Sequence, residues 1–102
     1  MQLVEAAMRG DAAQIKTLLN SGAKPNEPDD DQRTPIAYAA AHGSLDAVEA
    51  LVDAGASVDA RDKEGGSPLM MAAAGGHTSI VELLVELLAQ GHYQLSPPEI
   101  QP

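Results

Sequence analysis

The side chains that could do chemistry in this chain of 102 residues are one acidic run and three histidines. The run is Glu27-Pro28-Asp29-Asp30-Asp31, and carboxylate oxygens are the ligands that Ca²⁺ prefers. A calcium loop also needs spaced oxygen ligands, a glycine and a distant glutamate, and that order is absent from the run. We therefore predict a solvated loop and no metal site.

The histidines and glycine pairs do not assemble into a recognisable catalytic motif. His42 precedes a turn glycine, whereas His77 follows one, so the two imidazoles are expected on different faces; His92 lies apart from both. Neither Gly65-Gly66 nor Gly75-Gly76 is followed by the Lys-Ser or Lys-Thr of a phosphate loop. The sequence also lacks a Gly-x-Ser-x-Gly nucleophile elbow. We predict no enzymatic activity and no cofactor.

A repeat with a spacing of 33 residues organises the chain. Residues 3–10, 36–43 and 69–76 align, with their Ala-Ala pairs and closing glycines largely in register. Thr34-Pro35 aligns with Ser67-Pro68, and each predicts a helix start, with a hydroxyl at the N-cap and proline at the first helical position. A fixed period of this length indicates stacked supersecondary units.

Each repeat is predicted to hold a short Ala-rich helix and a second amphipathic helix. In the second repeat the first helix ends near Gly43, and the second carries Leu45, Val48, Leu51 and Val52 and closes at Gly55. In the first and third repeats the helices are expected near 2–9, 12–20, 68–75 and 78–89.

The unit resembles the ankyrin repeat, whose signature is a Thr-Pro-Leu-His-x-Ala core in a period of about 33 residues. The matching runs are residues 34–40 and 67–73, and the resemblance covers residues 2–90. It implies an all-α solenoid of stacked helix–turn–helix units with hairpin-like loop tips. We expect an ankyrin-repeat domain over 1–91, with repeats at 1–28, 29–61 and 62–91 that include terminal capping repeats, and a tail over 92–102.

The resemblance also implies a protein–protein interaction module, acting as an adaptor, scaffold or regulatory subunit. The family binds partners through a concave face of loop tips and short inner helices. On this chain the corresponding residues are Met8, Arg9, Asp30, Asp31, Arg33, Tyr38, Ala41, His42, Lys63, Glu64, Gly66 and Met71. Tyr38 is either an interface anchor, a role in which tyrosine is enriched, or a partly buried packing residue.

Departures from the family pattern lead to two further expectations. Gln32 stands where the tip usually has glycine, which predicts a distorted or widened turn. Ala37 and Met70 replace the usual histidine, which predicts a weaker layer of first helices.

The net charge of −9 bears on the partner. Nucleic-acid binding is not expected, because it depends on lysine and arginine facing phosphates. The acidic surface serves either to attract a partner with a basic surface or to keep the protein soluble. There is no cysteine, no visible signal peptide and no apolar run that could span a membrane, so we expect an intracellular, cytoplasmic protein without membrane attachment.

The last helix supports an alternative function. Residues 79–89 carry apolar residues over a wide arc, and Leu83 and Leu87 lie one turn apart where a terminal repeat should be polar. The tail, a second copy or another domain could cover this stripe, with Tyr93 as the nearest tail aromatic. The alternative is therefore an assembly element that oligomerises or docks through this helix, and we expect a monomer or a weak homo-oligomer.

Overall fold

The computed structural model describes residues 2–91. Six helices and no strand are found in that range, and the helices are α1 (Gln2–Arg9), α2 (Ala12–Asn20), α3 (Pro35–His42), α4 (Leu45–Asp53), α5 (Pro68–Ala74) and α6 (Thr78–Ala89). The all-α prediction is confirmed, and the helix bounds agree with the predicted ones to within about a residue. The predicted tail, 92–102, lies outside the described residues.

The helices form two layers. In the inner layer α3 packs between α1 and α5, and in the outer layer α4 packs between α2 and α6. The inner helices meet through side chains with no solvent exposure, namely Ala6, Ala7, Ala39, Ala40 and Ala72. Alanine lets helix axes approach closely, so this layer is held by tight packing of small groups.

The larger apolar residues fill the space between and within the layers. Ile36 of α3 and Leu51 of α4 are fully buried, and so are Ile15 and Leu84 of the neighbouring outer helices. Each such side chain contributes about 1.5–3 kcal/mol relative to an exposed one. The apolar side chains of α4, at helical spacing, therefore help to hold the second repeat against its two neighbours.

The two predicted hydroxyl caps differ. The Ser67 hydroxyl accepts a hydrogen bond from the Met70 backbone N–H at 3.3 Å, as expected for an N-cap. The Thr34 hydroxyl makes no such bond and is buried without a partner among the described residues. The Ala37 N–H that it would have capped donates instead to the Thr34 carbonyl at 3.1 Å. The prediction of a side-chain cap was therefore wrong at Thr34.

The prediction of a distorted turn at Gln32 was also wrong. In the turn of Gln32, the Asp29 N–H donates to the Arg33 carbonyl at 3.0 Å, and in the next turn the Asp62 N–H donates to the Gly66 carbonyl at 2.9 Å. Gln32 has φ +62° and Gly65 has φ +83°, so glutamine takes the left-handed conformation that glycine takes one repeat later. The turn therefore keeps its shape, although the left-handed conformation costs free energy for a residue with a Cβ such as glutamine.

Two polar side chains join successive repeats away from the turns. The Asn26 amide accepts from the Ser57 N–H at 2.6 Å and donates to the Gly55 carbonyl at 3.1 Å. The His77 Nε2 lies 3.0 Å from the Ala41 carbonyl, so this histidine links repeats rather than serving only its local turn. A Cβ at Gly43 would come within 2.6 Å of the His77 ring, which explains the need for glycine there.

Candidate protein-binding surface

Two loop tips lie side by side at one edge of the inner layer. We define tip 1 as residues 29–34 and tip 2 as residues 62–67. They are joined through their backbones, since the Lys63 N–H donates to the Asp31 carbonyl at 2.9 Å. The structure therefore brings together the predicted charged residues of the two tips.

Asp29 organises tip 1 from within its own repeat. One carboxylate oxygen accepts from the N–H groups of Asp31 at 2.9 Å and Arg33 at 3.0 Å, and the other accepts from the Tyr38 hydroxyl. Desolvation is the largest single influence on the pKa of Asp29 and acts to raise it. The hydrogen bonds from Tyr38 and from the two N–H groups together outweigh desolvation, so the pKa of Asp29 is lowered. The bond to Asp29, followed by desolvation, raises the pKa of Tyr38.

Asp62 organises tip 2 and also reaches tip 1. One carboxylate oxygen accepts from the N–H groups of Gly66 at 2.7 Å and Glu64 at 2.9 Å. The other accepts from Arg33 Nε at 3.1 Å and Nη2 at 3.0 Å. The Gly66 bond is the largest cause of the lowered pKa of Asp62, which the Arg33 pair lowers further against desolvation. The bond to Asp62 also raises the pKa of Arg33.

Arg33 and Tyr38 connect the two carboxylates. The Arg33 guanidinium lies 5.4 Å from the centre of the Tyr38 ring, within the range of a cation–π contact. Tyr38 is half-buried and its hydroxyl is occupied by Asp29, so it packs within tip 1 while keeping part of its ring exposed. Asp29, Tyr38, Arg33 and Asp62 thus form a continuous network across both tips.

A small cleft of about 140 Å³ lies between the tips. Its lining brings together Asp31, Arg33, Lys63 and Glu64, all of which the sequence predicted as binding residues, with the buried Asp62. Asp30 is exposed next to the cleft. Asp31 and Glu64 give the cleft an acidic edge, and Lys63 is the exposed basic residue of its lining.

The other predicted residues lie outside the cleft lining. Met8 is 43 % exposed, and Arg9 and His42 are exposed at the ends of α1 and α3. Ala41, Gly66 and Met71 are partly exposed, and a Cβ on Gly66 would approach the Met71 side chain. Gly66 belongs to tip 2 and Met71 to α5, while Met8, Arg9, Ala41 and His42 lie in the last turns of α1 and α3.

Sequence reasoning missed Asp29 and Asp62 as the residues that organise the tips. Both were passed over as members of polar loops. The available signal was their register, since they lie 33 positions apart and each precedes a Thr-Pro or Ser-Pro helix start by five positions. An acidic side chain at that position can accept hydrogen bonds from the backbone N–H groups of its own turn.

A pair of equivalent grooves lies on the outer layer. The first, between α2 and α4, is lined by Lys16, Leu19, Asn20, Ala50, Asp53 and Ala54. The second, between α4 and α6, is lined by Glu49, Val52, Asp53, Leu83 and Leu87. The predicted second-interface residues Leu83 and Leu87 are thus half-buried groove residues, while Tyr93 lies outside the described residues.

The face of the third repeat that points away from repeat two exposes other apolar side chains. Met70 is 51 % exposed, whereas its register counterpart Ala37 is 3 % exposed beneath the third repeat. Val85 of α6 is 49 % exposed. Met70 and Val85 are therefore exposed apolar side chains of the third repeat besides the predicted, half-buried Leu83 and Leu87.

Two absences hold for the part of the chain that the structure describes. Within residues 2–91, no group of three or more histidines and carboxylates is placed to hold a metal ion. In the same range, no helix is long and apolar enough to cross a membrane.

Comparison with protein families finds a match to ankyrin repeats, in three copies, over residues 3–94. The chain belongs to the ankyrin-repeat family. Ankyrin repeats are generally protein–protein interaction modules on a fold without catalytic machinery. A search of curated proteins finds no significant match to this ankyrin-repeat chain.

Among solved structures, 383 chains match the ankyrin-repeat chain, so the match identifies the family and not a particular function. One of them is the crystal structure of the human ASB11 ankyrin repeat domain, with a TM-score of 0.81 and 29 % sequence identity. The match covers 84 % of this chain and 39 % of that one. This chain therefore spans about two fifths of the length of that structure.

Proposed function

We propose that this ankyrin-repeat chain is an adaptor, scaffold or regulatory subunit that binds a protein partner through its two tips and inner helices. The observation that carries the proposal is the joined pair of tips, with Asp30, Asp31, Lys63 and Glu64 exposed around one cleft. We assign the domain to residues 1–91, with repeats at 1–28, 29–61 and 62–91.

Rigidity of the tips supports this proposal. The backbone bond from Lys63 to Asp31 and the two-point contact of Arg33 with Asp62 fix the tips relative to each other. A surface that is already ordered loses less conformational entropy on binding. The exposed carboxylates are therefore presented in a defined arrangement.

Charge indicates the kind of partner. Asp30, Asp31 and Glu64 are exposed, and the one exposed cation at the cleft is Lys63. Opposite charges across an interface speed association and align the partners. The partner surface is expected to present lysine or arginine to the cleft and apolar groups to Met8 and Met71.

A capture experiment tests the proposal. The native chain and a variant with Asp30→Lys, Asp31→Lys and Glu64→Lys are used as baits in a lysate, and bound proteins are identified by mass spectrometry. The matched control is Asp46→Lys, Glu82→Lys and Glu86→Lys, which reverses the same number of charges on the outer helices at residues that line neither the cleft nor the grooves. The proposal requires a protein that the native and control baits retain and the tip variant loses. Equal capture by all three baits would contradict it.

The alternative, an assembly element, is favoured by the half-buried Leu83 and Leu87 and by the exposed Val85 on α6. Sedimentation over a range of concentrations separates the two functions. A mass that rises with concentration and returns to that of the monomer in Val85→Lys supports assembly. A constant monomer mass supports the adaptor.

A further inference from the structure

Five of the six residues that line the first outer groove have counterparts 33 positions later that line the second. Lys16, Leu19 and Asn20 of the α2/α4 groove occupy the positions of Glu49, Val52 and Asp53 in the α4/α6 groove. Ala50 and Ala54 likewise occupy the positions of Leu83 and Leu87. The chain thus contains the same groove twice with different chemistry.

The second groove is larger although larger side chains line it. Its volume is about 440 Å³, against about 270 Å³ for the first. The helices α4 and α6 contact each other less extensively than α2 and α4 do, and Leu83 and Leu87 line the wider groove where Ala50 and Ala54 line the narrower one. The result is an apolar floor of Val52, Leu83 and Leu87 that remains half-exposed.

The second groove is also acidic. Glu49 and Asp53 line it, and Asp46, Glu82 and Glu86 are exposed elsewhere on the same two helices. Neither α4 nor α6 contains a lysine or arginine. The first groove differs because Lys16 lines it, although Asp53 borders both.

We propose that the α4/α6 groove binds a basic amphipathic helix of a partner protein. Apolar side chains of that helix would pack on Leu83, Leu87 and Val52, while its lysines or arginines face Glu49 and Asp53. A helix laid into an apolar groove is a recurrent mode of recognition. This site is on the outer layer and is independent of the tip surface.

Charge decides between the possible occupants. A second copy of the chain, with a net charge of −9, would bring the acidic helices of both copies together. The tail at 92–102 contains no lysine or arginine and one glutamate, so it offers Glu49 and Asp53 no permanently charged partner. A basic segment from another protein satisfies both the apolar floor and the acidic rim.

The test uses the full chain and a labelled helical peptide of leucine and lysine, with leucines at every third and fourth position as the apolar face. A second peptide carries glutamate in place of lysine. Binding is followed by fluorescence anisotropy. We expect the lysine peptide to bind and the glutamate peptide not to bind.

The matched variants come from the chain itself. Glu49→Lys with Asp53→Asn gives the second groove the polar residues of the first, and we expect affinity to fall about tenfold or more. Glu5→Lys with Asp59→Asn changes the net charge equally at exposed residues outside both the tips and the grooves and should leave affinity unchanged. Leu83→Ala with Leu87→Ala gives the second groove the alanines of the first and should also weaken binding.

Circular dichroism confirms that each variant is folded, and the charge variants keep the test valid if the alanine variant is not. Equal weakening by the groove charge variant and by Glu5→Lys with Asp59→Asn would overturn the proposal, because it would indicate general attraction of a cation to an acidic protein. Absence of binding would also overturn it. Two further outcomes would assign the groove to another occupant. Peptide binding that appears only in the double variant Tyr93→Ala, Leu95→Ala would assign it to the tail. A molecular mass that rises with concentration, and that falls in the double variant Leu83→Ala, Leu87→Ala, would assign it to a second copy of the chain.

Discussion

Tip 1 and tip 2 have the same backbone turn and different side-chain partners. In tip 1 the second oxygen of Asp29 accepts from Tyr38 of the same repeat, whereas in tip 2 the corresponding oxygen of Asp62 accepts from Arg33 of the preceding tip. The stability of a repeat array is approximately a sum of terms within repeats and terms between neighbours. Asp29 therefore stabilises a single repeat, while Asp62 couples two repeats.

The largest effect is expected from Asp62→Ala. This change removes the acceptor of the Gly66 and Glu64 N–H groups and the partner of Arg33, so the melting temperature should fall by several degrees and by more than in Asp29→Ala. Because the lost contact joins repeats, urea unfolding followed by circular dichroism should also broaden. Broadening in Asp29→Ala and not in Asp62→Ala would reverse the comparison.

Acid should weaken both tips, to a smaller extent, because a protonated carboxyl group can still accept from N–H groups. The pKa values of Asp29 and Asp62 are lowered in the folded chain. The stability that they provide is therefore present above the pKa of an unfolded aspartate, about 4, and is lost as the pH falls through the folded-state pKa. Melting temperatures between neutral pH and about pH 3 should show a smaller decrease in Asp62→Asn than in the native chain. An identical decrease in both would show that Asp62 does not contribute.

Tyr38→Phe tests the partner of Asp29 alone. It removes the hydroxyl donor but keeps the ring beneath Arg33, so we expect a loss of about 1 kcal/mol, limited by the partial exposure of the site. Chemical denaturation measures this loss, and its slope should not change. In the native chain the raised pKa of Tyr38 means that this bond persists below the pKa of an ordinary tyrosine and is lost as the pH rises through the folded-state value.

The smallest effects concern the left-handed turn residue. Gln32→Gly should stabilise the chain by roughly 0.5 kcal/mol. The change removes the free-energy cost of a left-handed glutamine, and this gain should exceed the loss caused by the greater conformational entropy of glycine in the unfolded chain. Gly65→Ala should destabilise it by a similar amount, roughly 0.5 kcal/mol, since a Cβ at Gly65 meets no atom within 4 Å and only the conformational cost remains. Stabilisation by both changes would contradict the equivalence of the two turns.

Local signals predicted the helices, and the partners of the tip side chains required three-dimensional information. Ser67-Pro68 and the closing glycines predicted where helices begin and end, since caps depend on a few neighbouring residues. The pairing of Arg33 with Asp62 depends on how one turn stacks on the next. The substitution at Gln32 was misread because sequence shows an absent glycine but not that the backbone keeps its left-handed conformation.

The lining of the tip cleft was predicted in part for the same reason. The sequence predicted Asp31, Arg33, Lys63 and Glu64, which line the tip cleft, because position in the repeat is a local property. It treated Leu83 and Leu87 as an exposed stripe, whereas both are half-buried beside α4. The distance between α4 and α6 depends on both helices at once, so the groove could not be read from either.

The position of Tyr38 gives the protein an optical reporter of its own. The chain has no tryptophan or phenylalanine, and its other tyrosine is Tyr93. In a Tyr93→Leu background, near-ultraviolet aromatic absorbance and emission would therefore come from one phenol that donates to Asp29 beneath the Arg33 guanidinium. A partner that displaces Arg33 or Asp29 would change that signal directly, so occupancy of the tips could be followed without attaching a dye.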